Sequence, residues 1–92
     1  MQYIVYILFS EKDRNLYTGC TNDLGRRLEN HRTGKVPATK NRGPLTLIHQ
    51  ETFTDKTAAF NRERFLKSLW GGRFKKKVRT AYLQSRAKSP PR

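Results

Sequence analysis

LYTGCTNDLGRRLENH, residues 16–31, runs from a strand-like segment through a glycine into the start of a helix. Asn22 or Asp23 can cap that helix, because the side-chain oxygen of either residue accepts a hydrogen bond from the first turn. The helix carries Arg27 and His31 one turn apart, directly behind the strand-like segment. The stretch therefore predicts a strand followed closely by a helix, with an arginine and a histidine beside the end of the strand.

The neighbouring segments predict a small α+β domain. Residues 3–9 are rich in β-branched and aromatic side chains and end at the polar run SEKDRN. They predict a strand that returns antiparallel through residues 16–20, after a loop of about six residues. Residues 45–52 predict a third strand, and helical spacing predicts further helices at 56–70 and 73–86. The order β-β-α-β-α-α implies a small three-stranded antiparallel sheet flanked by helices.

The chain is strongly basic, with 20 Lys and Arg against 7 Asp and Glu and a formal net charge of +13. The excess positive side chains repel one another unless a polyanion lies nearby, so nucleic acid is the expected partner. At 92 residues the chain makes one small domain with a modest core. Residues 73–92 hold eight of the basic residues and no acidic one. We therefore divide the chain into a folded domain at 1–72 and a basic C-terminal helix and tail at 73–92.

Cys20 is the only cysteine, so this chain alone can form neither an internal disulfide nor a thiolate zinc site, and a cytoplasmic protein is expected. The opening MQYIVYILFS is apolar, but it lacks a basic leader and a small-residue cleavage site. It is also too short to span a bilayer. We interpret it as a strand and expect no membrane association.

The helix at residue 24 onward carries groups that suit a phosphodiester. Helical geometry places Arg27 and His31 together on one flank of the stripe formed by Leu24 and Leu28, which we expect to be buried. Arginine offers a planar fork of donors that matches the non-bridging oxygens of a phosphate as negative charge builds on them. Strand residues alternate between faces, so Tyr6 and Tyr17 of the hairpin can each point toward the same flank.

Glu63 supplies an acidic group on the second predicted helix. It falls between Ala59, Leu66 and Trp70 on the helical wheel, so it projects from the apolar side, where a carboxylate needs a partner. Mg²⁺ or Mn²⁺ would supply one, because these hard cations prefer oxygen ligands. The chain has few other acids, so we expect one ion. The alternative is an ion pair with a neighbouring base: Arg62, Arg64 or Lys67.

A set of short motifs follows a fixed order along the chain: Ile4-Val5-Tyr6, Tyr17-Thr18-Gly19, Arg27, His31 and Glu63. In this order and at these intervals they resemble the GIY-YIG endonuclease domain over residues 3 to about 70. The short stand-alone (UPF0213-like) members of that family are the most similar. The chain departs from the family pattern in reading IVY and YTG, and in having no asparagine beyond Asn61, where larger members usually carry one.

The resemblance implies a metal-dependent nuclease domain at residues 1–72 that hydrolyses DNA and leaves a 5′-phosphate, in a role such as DNA repair. In the implied mechanism Tyr6 deprotonates a water, through Tyr17 or His31, and Arg27 steadies the phosphate. A metal ion on Glu63 stabilises the departing 3′ oxygen. DNA, including single-stranded and branched forms, is favoured over RNA, and a monomer is expected. The expected nucleic-acid contacts are Gly19, Arg26, Lys35, Lys40, Arg42 and the run Lys75, Lys76 and Lys77, which we expect to bind phosphate away from the active site.

The same residues allow simpler interpretations. Both tyrosines could be ordinary packing residues, since strands favour tyrosine. Arg27 and His31 could form a solvated helix end, where cations suit the helix dipole. The alternative function is a non-catalytic basic nucleic-acid-binding module that retains the fold, which the altered first motif favours. A structural RNA-binding protein would also explain the charge, but it explains Glu63 poorly.

Overall fold

The computed structural model describes residues 1–87, and this part of the chain forms three strands and three helices. In chain order they are β1 (Tyr3–Ser10), β2 (Leu16–Thr21), α1 (Leu24–Arg32), β3 (Leu45–Phe53), α2 (Lys56–Lys67) and α3 (Gly72–Ala87). The predicted order β-β-α-β-α-α is confirmed, with a hairpin loop of five residues instead of six. The end of the predicted basic tail, residues 88–92, lies outside the described part of the chain.

β1 is the centre of the antiparallel sheet, whose strand order is β2-β1-β3. Nearly the whole strand is buried without alternation, as expected for a strand that is covered on both faces. Val5 and Ile7 pack against Ala59 and Leu66 of α2 in the hydrophobic core. Tyr6 points to the opposite face, toward α1. The central strand therefore separates an apolar core from a polar cluster.

α1 begins where the sequence predicts, because Asp23 accepts a hydrogen bond from the backbone N–H of Arg26 at 3.1 Å. The prediction about its buried face is wrong. Leu24 and Leu28 are only partly buried, and the buried residue of the helix is His31, at 7% exposed. The reason is chemical: the tyrosine of β1 offers a hydrogen-bonding partner, so a polar residue of α1 faces the sheet.

α2 ends at Lys67 and not at Trp70, and Trp70 is 83% exposed instead of lying on the apolar side. The hydroxyl and the backbone N–H of Ser68 both donate to the carbonyl of Phe65, which closes the last turn. A Cβ on Gly71 would lie 2.3 Å from that same carbonyl oxygen, so only glycine lets the chain pass this close. The tight turn that ends the helix depends on this approach, which helical periodicity does not encode.

α3, the basic helix, is attached to the body of the domain. The ring of Phe74 lies against His49 of β3, with ring centroids 5.1 Å apart. Further along the helix, Arg86 Nη1 donates to Glu11 Oε1 in the hairpin loop at 2.8 Å. Within residues 1–87, no helix combines the length and the apolar character that crossing a membrane requires.

Candidate active site

A buried hydrogen-bonded cluster joins the central strand to α1. Tyr6 is 1% exposed, and its Oη lies 3.0 Å from His31 Nε2 and 3.1 Å from Arg27 Nε. Arg27 is the donor in its contact, because a guanidinium carries no acceptor. Three of the residues selected from the sequence are thus in direct contact, and two of them act on one phenol oxygen.

Gly19 makes room for this phenol. It lies opposite Tyr6 in the β1–β2 register, and a Cβ on it would lie 2.3 Å from Tyr6 Oη and 2.5 Å from Cζ. No side chain fits at that distance, so the glycine of the second motif is required by the position of the first motif's tyrosine. Its predicted contact with nucleic acid stays a prediction.

His31 makes a second contact, to a residue that the sequence analysis missed. Its Nδ1 lies 2.7 Å from Oγ1 of Thr39, which is 1% exposed in the loop between α1 and β3. Burial, together with the positive charge of Arg27, lowers the pKa of His31 below its ordinary value of 6.5. The imidazole is therefore neutral at pH 7. A threonine in a polar loop gives no sequence signal of burial, so only the structure identifies it.

Tyr17 lies on the same sheet face as Tyr6, because it is two residues before Gly19 on β2. Its hydroxyl donates to Asp13 Oδ2 at 3.0 Å. Burial and this hydrogen bond to Asp13 raise the pKa of Tyr17 above its ordinary value of 10.0. Among residues 1–87 no hydrogen bond joins the two tyrosines, so Tyr17 stands beside the cluster as a protonated neighbour.

An open pocket of about 380 Å³ lies over the edge strand β2 and reaches the cluster. Residues from both sheet faces line it, since Tyr17 and Gly19 alternate with Thr18 and Cys20 along the strand. A larger cavity of about 610 Å³ lies on the other side of His31, but neither Tyr6 nor Arg27 lines it. The polar side chains that line the smaller pocket are those of Tyr6, Tyr17, Thr18, Arg27, His31, Thr39, Glu63, Lys67 and Lys75.

Glu63 lines the pocket from α2, with its side chain 20% exposed. Its carboxylate pairs with Lys67, one turn along the same helix, at 2.9 Å. Arg62 pairs instead with Glu51 of β3, at 2.9 Å. Of the three bases that the sequence allowed as partners of Glu63, the structure therefore selects Lys67. In the described part of the chain no hydrogen bond links Glu63 to the tyrosine cluster, so the two share a pocket without touching. Lys67 was not among the selected site residues, although its spacing of four from Glu63 was a signal.

The oxygen donors in this part of the pocket fit a hard divalent cation. Thr18 Oγ1 is buried and has no hydrogen-bond partner in the described structure, and it lines the same pocket as the Glu63 carboxylate. Mg²⁺ is commonly held by one or two carboxylates, with waters and substrate phosphates completing its shell. Residues 1–87 contain no cluster of three acidic, histidine or cysteine side chains that could hold an ion alone. Glu63 therefore suits an ion that the substrate helps to bind.

The basic residues selected from the sequence separate into two groups. Lys75 lies on the pocket wall, so the expectation that Lys75, Lys76 and Lys77 all lie away from the site is wrong for the first of them. α3 begins at the rim of the pocket, so Lys75 lines the pocket together with Tyr17. Lys76 and Arg79 line a shallow surface next to it, which Tyr17 and Lys75 also border. The others lie outside the pocket lining and are exposed: Arg26, Lys35, Lys40, Arg42 and Lys77.

Comparison with known proteins points to one family. The family model of the GIY-YIG catalytic domain matches residues 2–78. A UPF0213 protein of Oceanobacillus iheyensis is 42% identical over 69 residues, which cover 74% of this chain and 79% of the relative. One from Natronomonas pharaonis is 43% identical over 68 residues, covering 73% and 79%. The solution NMR structure of a UPF0213 protein from Bacillus halodurans is similar at a TM-score of 0.55 and 36% identity, covering 88% of this chain and 85% of that one. All the pocket residues named above lie within the matched range.

Proposed function

Because this chain belongs to the GIY-YIG domain family, we propose that it is a metal-dependent nuclease that hydrolyses DNA phosphodiester bonds. The observation that carries the proposal is the Tyr6 hydroxyl, which is held between Arg27 and His31 at the wall of an open pocket. A phenol with a base on one side and a cation on the other can accept a proton from a water that attacks phosphorus in line. The product then carries a 5′-phosphate.

Tyr6 and His31 act together as the base. His31 is neutral, and its Nε2 is 3.0 Å from the phenol oxygen. When Tyr6 takes a proton from the water, its own proton can pass to His31, so the phenol need not hold a negative charge. We assign Tyr17 no part in this relay, because its hydroxyl donates to Asp13 instead of to Tyr6.

Arg27 positions the phenol and stabilises the phosphate. Its Nε is used by the contact with Tyr6, and the two terminal nitrogens of the guanidinium are the donors that suit the non-bridging oxygens. A single charged donor of this kind contributes about 10²- to 10³-fold to the rate of a reaction that develops negative charge. Lys67 and Lys75, on the same pocket wall, add positive charge where the phosphate backbone would lie.

Glu63, with Thr18 beside it in the pocket lining, is the group that would hold the divalent ion. When bound, Mg²⁺ or Mn²⁺ supplies charge stabilisation for the departing 3′ oxygen. Glu63 pairs with Lys67 through Oε2, so its carboxylate can engage an ion either through Oε1 or by leaving that pair. That pair is partly exposed, so breaking it costs little.

The test is cleavage of single-stranded, duplex, nicked and branched DNA in Mg²⁺, Mn²⁺ or EDTA. We expect metal-dependent cleavage that Arg27→Ala reduces by about 10²-fold or more and that Glu63→Gln abolishes. Matched controls are Arg32→Ala and Glu29→Gln, since these two residues form an exposed ion pair on α1 outside the pocket. Tight DNA binding without cleavage by the wild-type protein would contradict the proposal and support the non-catalytic binding module.

A further inference from the structure

The hydrogen bonds around His31 form a chain in which the direction of every member can be worked out. Arg27 Nε can only donate, so Tyr6 Oη accepts from it at 3.1 Å. The remaining contacts are Tyr6 Oη to His31 Nε2 at 3.0 Å and His31 Nδ1 to Thr39 Oγ1 at 2.7 Å. Thr39 Oγ1 also reaches the carbonyl oxygen of Val36 at 3.5 Å. A neutral imidazole carries one hydrogen, on Nδ1 or on Nε2, and the two choices have different consequences.

With the hydrogen on Nε2, His31 would donate to Tyr6, and Thr39 would donate to Nδ1. Tyr6 Oη would then accept two hydrogen bonds, and its own hydrogen would have no acceptor in the described structure. Tyr6 is 1% exposed, so an unpaired hydroxyl hydrogen there is costly. With the hydrogen on Nδ1, Tyr6 donates to Nε2, His31 donates to Thr39, and Thr39 donates to Val36. Only this arrangement gives every hydrogen an acceptor within residues 1–87, and it leaves the second lone pair of Tyr6 Oη free for the attacking water.

We propose that Thr39 is a positioning residue that holds His31 in the Nδ1–H tautomer, with the Nε2 lone pair directed at the Tyr6 hydroxyl. The proposal deepens the proposed function, and its catalytic consequence rests on that function. As the water oxygen forms its bond to phosphorus, the bond to the 3′ oxygen breaks; its electron pair stays on the 3′ oxygen, which takes a proton from solvent, and the water proton moves to Tyr6. The phenol proton then moves to His31 Nε2. The resulting imidazolium keeps its Nδ1–H bond to Thr39.

The backbone around Thr39 is built to hold this hydroxyl in place. Its N–H donates to the carbonyl of Val36 at 3.1 Å, and its carbonyl accepts from the N–H of Arg42 at 3.0 Å. The side chain is 1% exposed, next to the buried Val36. The turn fixes the backbone that carries this hydroxyl, and His31 Nδ1 lies 2.7 Å from it.

The direct test is the tautomer of His31, measured by long-range ¹H–¹⁵N NMR on ¹⁵N-labelled protein at about pH 8. His31 in the wild type should show a protonated Nδ1 and an unprotonated Nε2. Thr39→Val, which replaces the hydroxyl with a methyl group of similar size, should move His31 toward the Nε2–H form, and Thr39→Ser should restore the wild-type pattern. His49, the other histidine of the chain, is the internal reference and should not change. An Nε2–H tautomer in the wild type, or an unchanged tautomer in Thr39→Val, would overturn the proposal.

The kinetic test adds the link to catalysis. Thr39→Val should lower kcat by about 10- to 100-fold, by analogy with the loss of a partner that orients a metal-binding histidine, with KM for DNA unchanged. Thr39→Ser should recover most of the rate. Failure of the Thr39 proposal and failure of the proposed nuclease function can be told apart, because the NMR measurement needs no substrate. A protein with the expected tautomer that cleaves no DNA refutes the nuclease and leaves the positioning contact intact.

Discussion

Gly19 has no side chain, yet it determines where the Tyr6 hydroxyl can lie. We expect Gly19→Ala to force the phenol away from Arg27 and His31, because the new Cβ would lie 2.3 Å from Tyr6 Oη. Overpacking of this kind costs about 1–3 kcal/mol of unfolding free energy, and a displacement near 1 Å lowers turnover by about 10²-fold. Chemical denaturation and the DNA cleavage rate measure the two effects.

The control for this change is Gly25→Ala on α1, where the nearest atom to a new Cβ is 4.0 Å away. Alanine there should leave stability unchanged or slightly improved, since glycine is a poor helix residue, and it should leave cleavage unchanged. Equal behaviour of the two alanine variants would show that Gly19 is not a packing constraint on Tyr6.

His31 makes folding stability depend on pH. Its folded-state pKa is lowered by burial and by Arg27, so the unfolded chain binds the proton more tightly. The stabilising contribution is complete above the unfolded pKa, about 6.5, and is lost as the pH falls through the lower folded value. The free energy of unfolding, measured from pH 8 to pH 5 for wild type and His31→Gln, should show a difference that shrinks on acidification. A constant difference across this range would rule out His31 as the titrating group.

The residue scale also shows what a sequence can and cannot indicate about a site. Tyr6, Arg27 and His31 were identified because ordered motifs and helical spacing bring them together. Thr39 was missed, since it reaches His31 through a loop turn whose geometry depends on tertiary contacts. Alternation along the strands predicted that Tyr6 and Tyr17 share one face of the sheet. Helical spacing, in contrast, allowed several ion pairs for Glu63 and did not single out Lys67.

At the scale of secondary structure, capping residues predicted where helices begin better than periodicity predicted where they end. Asp23 and Asp55 cap α1 and α2 through side-chain contacts of 3.1 Å, which are local and visible in the sequence. The end of α2 depends on the approach of Gly71 to Phe65, which the hydrophobic pattern does not record. Trp70 was therefore assigned to an apolar face that the helix does not reach.

Glu51 of β3 connects the sheet to α2. Arg62 donates to both of its carboxylate oxygens, at 2.9 and 3.0 Å, and His49 Nε2 lies 2.8 Å from it. Glu51→Gln should lower the free energy of unfolding at pH 7 by about 1–3 kcal/mol, because it leaves a partly buried Arg62 without its charged partner. Glu29→Gln is the matched control, and its exposed pair with Arg32 should change stability by less than about 0.5 kcal/mol.

The Glu51 effect should also depend on pH. Burial alone would raise its pKa, but the hydrogen bonds from Arg62 and His49 outweigh burial, so the folded-state pKa is lowered. Its contribution is present above the unfolded pKa, about 4.3, and is lost as the pH falls through the folded value. Urea unfolding of the wild type and Glu51→Gln should therefore converge in acid. If the unfolding free energies of the wild type and Glu51→Gln stayed equally far apart down to pH 3, an ionised Glu51 would not be what links the sheet to α2.

At the scale of the whole molecule, the candidate site is assembled at one edge of the sheet from elements far apart in the chain. β1 supplies the phenol, α1 the arginine and histidine, α2 the carboxylate, and α3 a lysine at the rim. The sequence could predict the elements and their order, because each is encoded locally. The sequence could not predict that α3 packs back against β3 and the hairpin loop. For that reason the basic helix was predicted to lie away from the active site.

The packing of α3 makes a prediction about how nucleic acid binds. Lys75 lines the pocket, and Lys76 continues the surface beside Tyr17 and Arg79, so a strand with its phosphate in the pocket would extend along the start of this helix. Each phosphate neutralised by a lysine adds about 0.7–0.9 to the slope of log affinity against log salt. The double variant Lys75→Ala/Lys76→Ala should therefore flatten that slope by roughly one to two units, measured by DNA binding in EDTA so that no strand is cut.

The charge-matched control is Lys12→Ala/Lys56→Ala, which removes two exposed lysines that line none of these surfaces. If the slope depended only on net charge, the two double variants would flatten it equally, and the path along α3 would be wrong. The rate at saturating DNA separates the two lysines further. Lys76→Ala should keep that rate, because its contact is with backbone phosphate outside the pocket, whereas Lys75→Ala should lower it. A saturated rate that is indifferent to Lys75 would place this lysine on the binding path alone, outside the reacting centre.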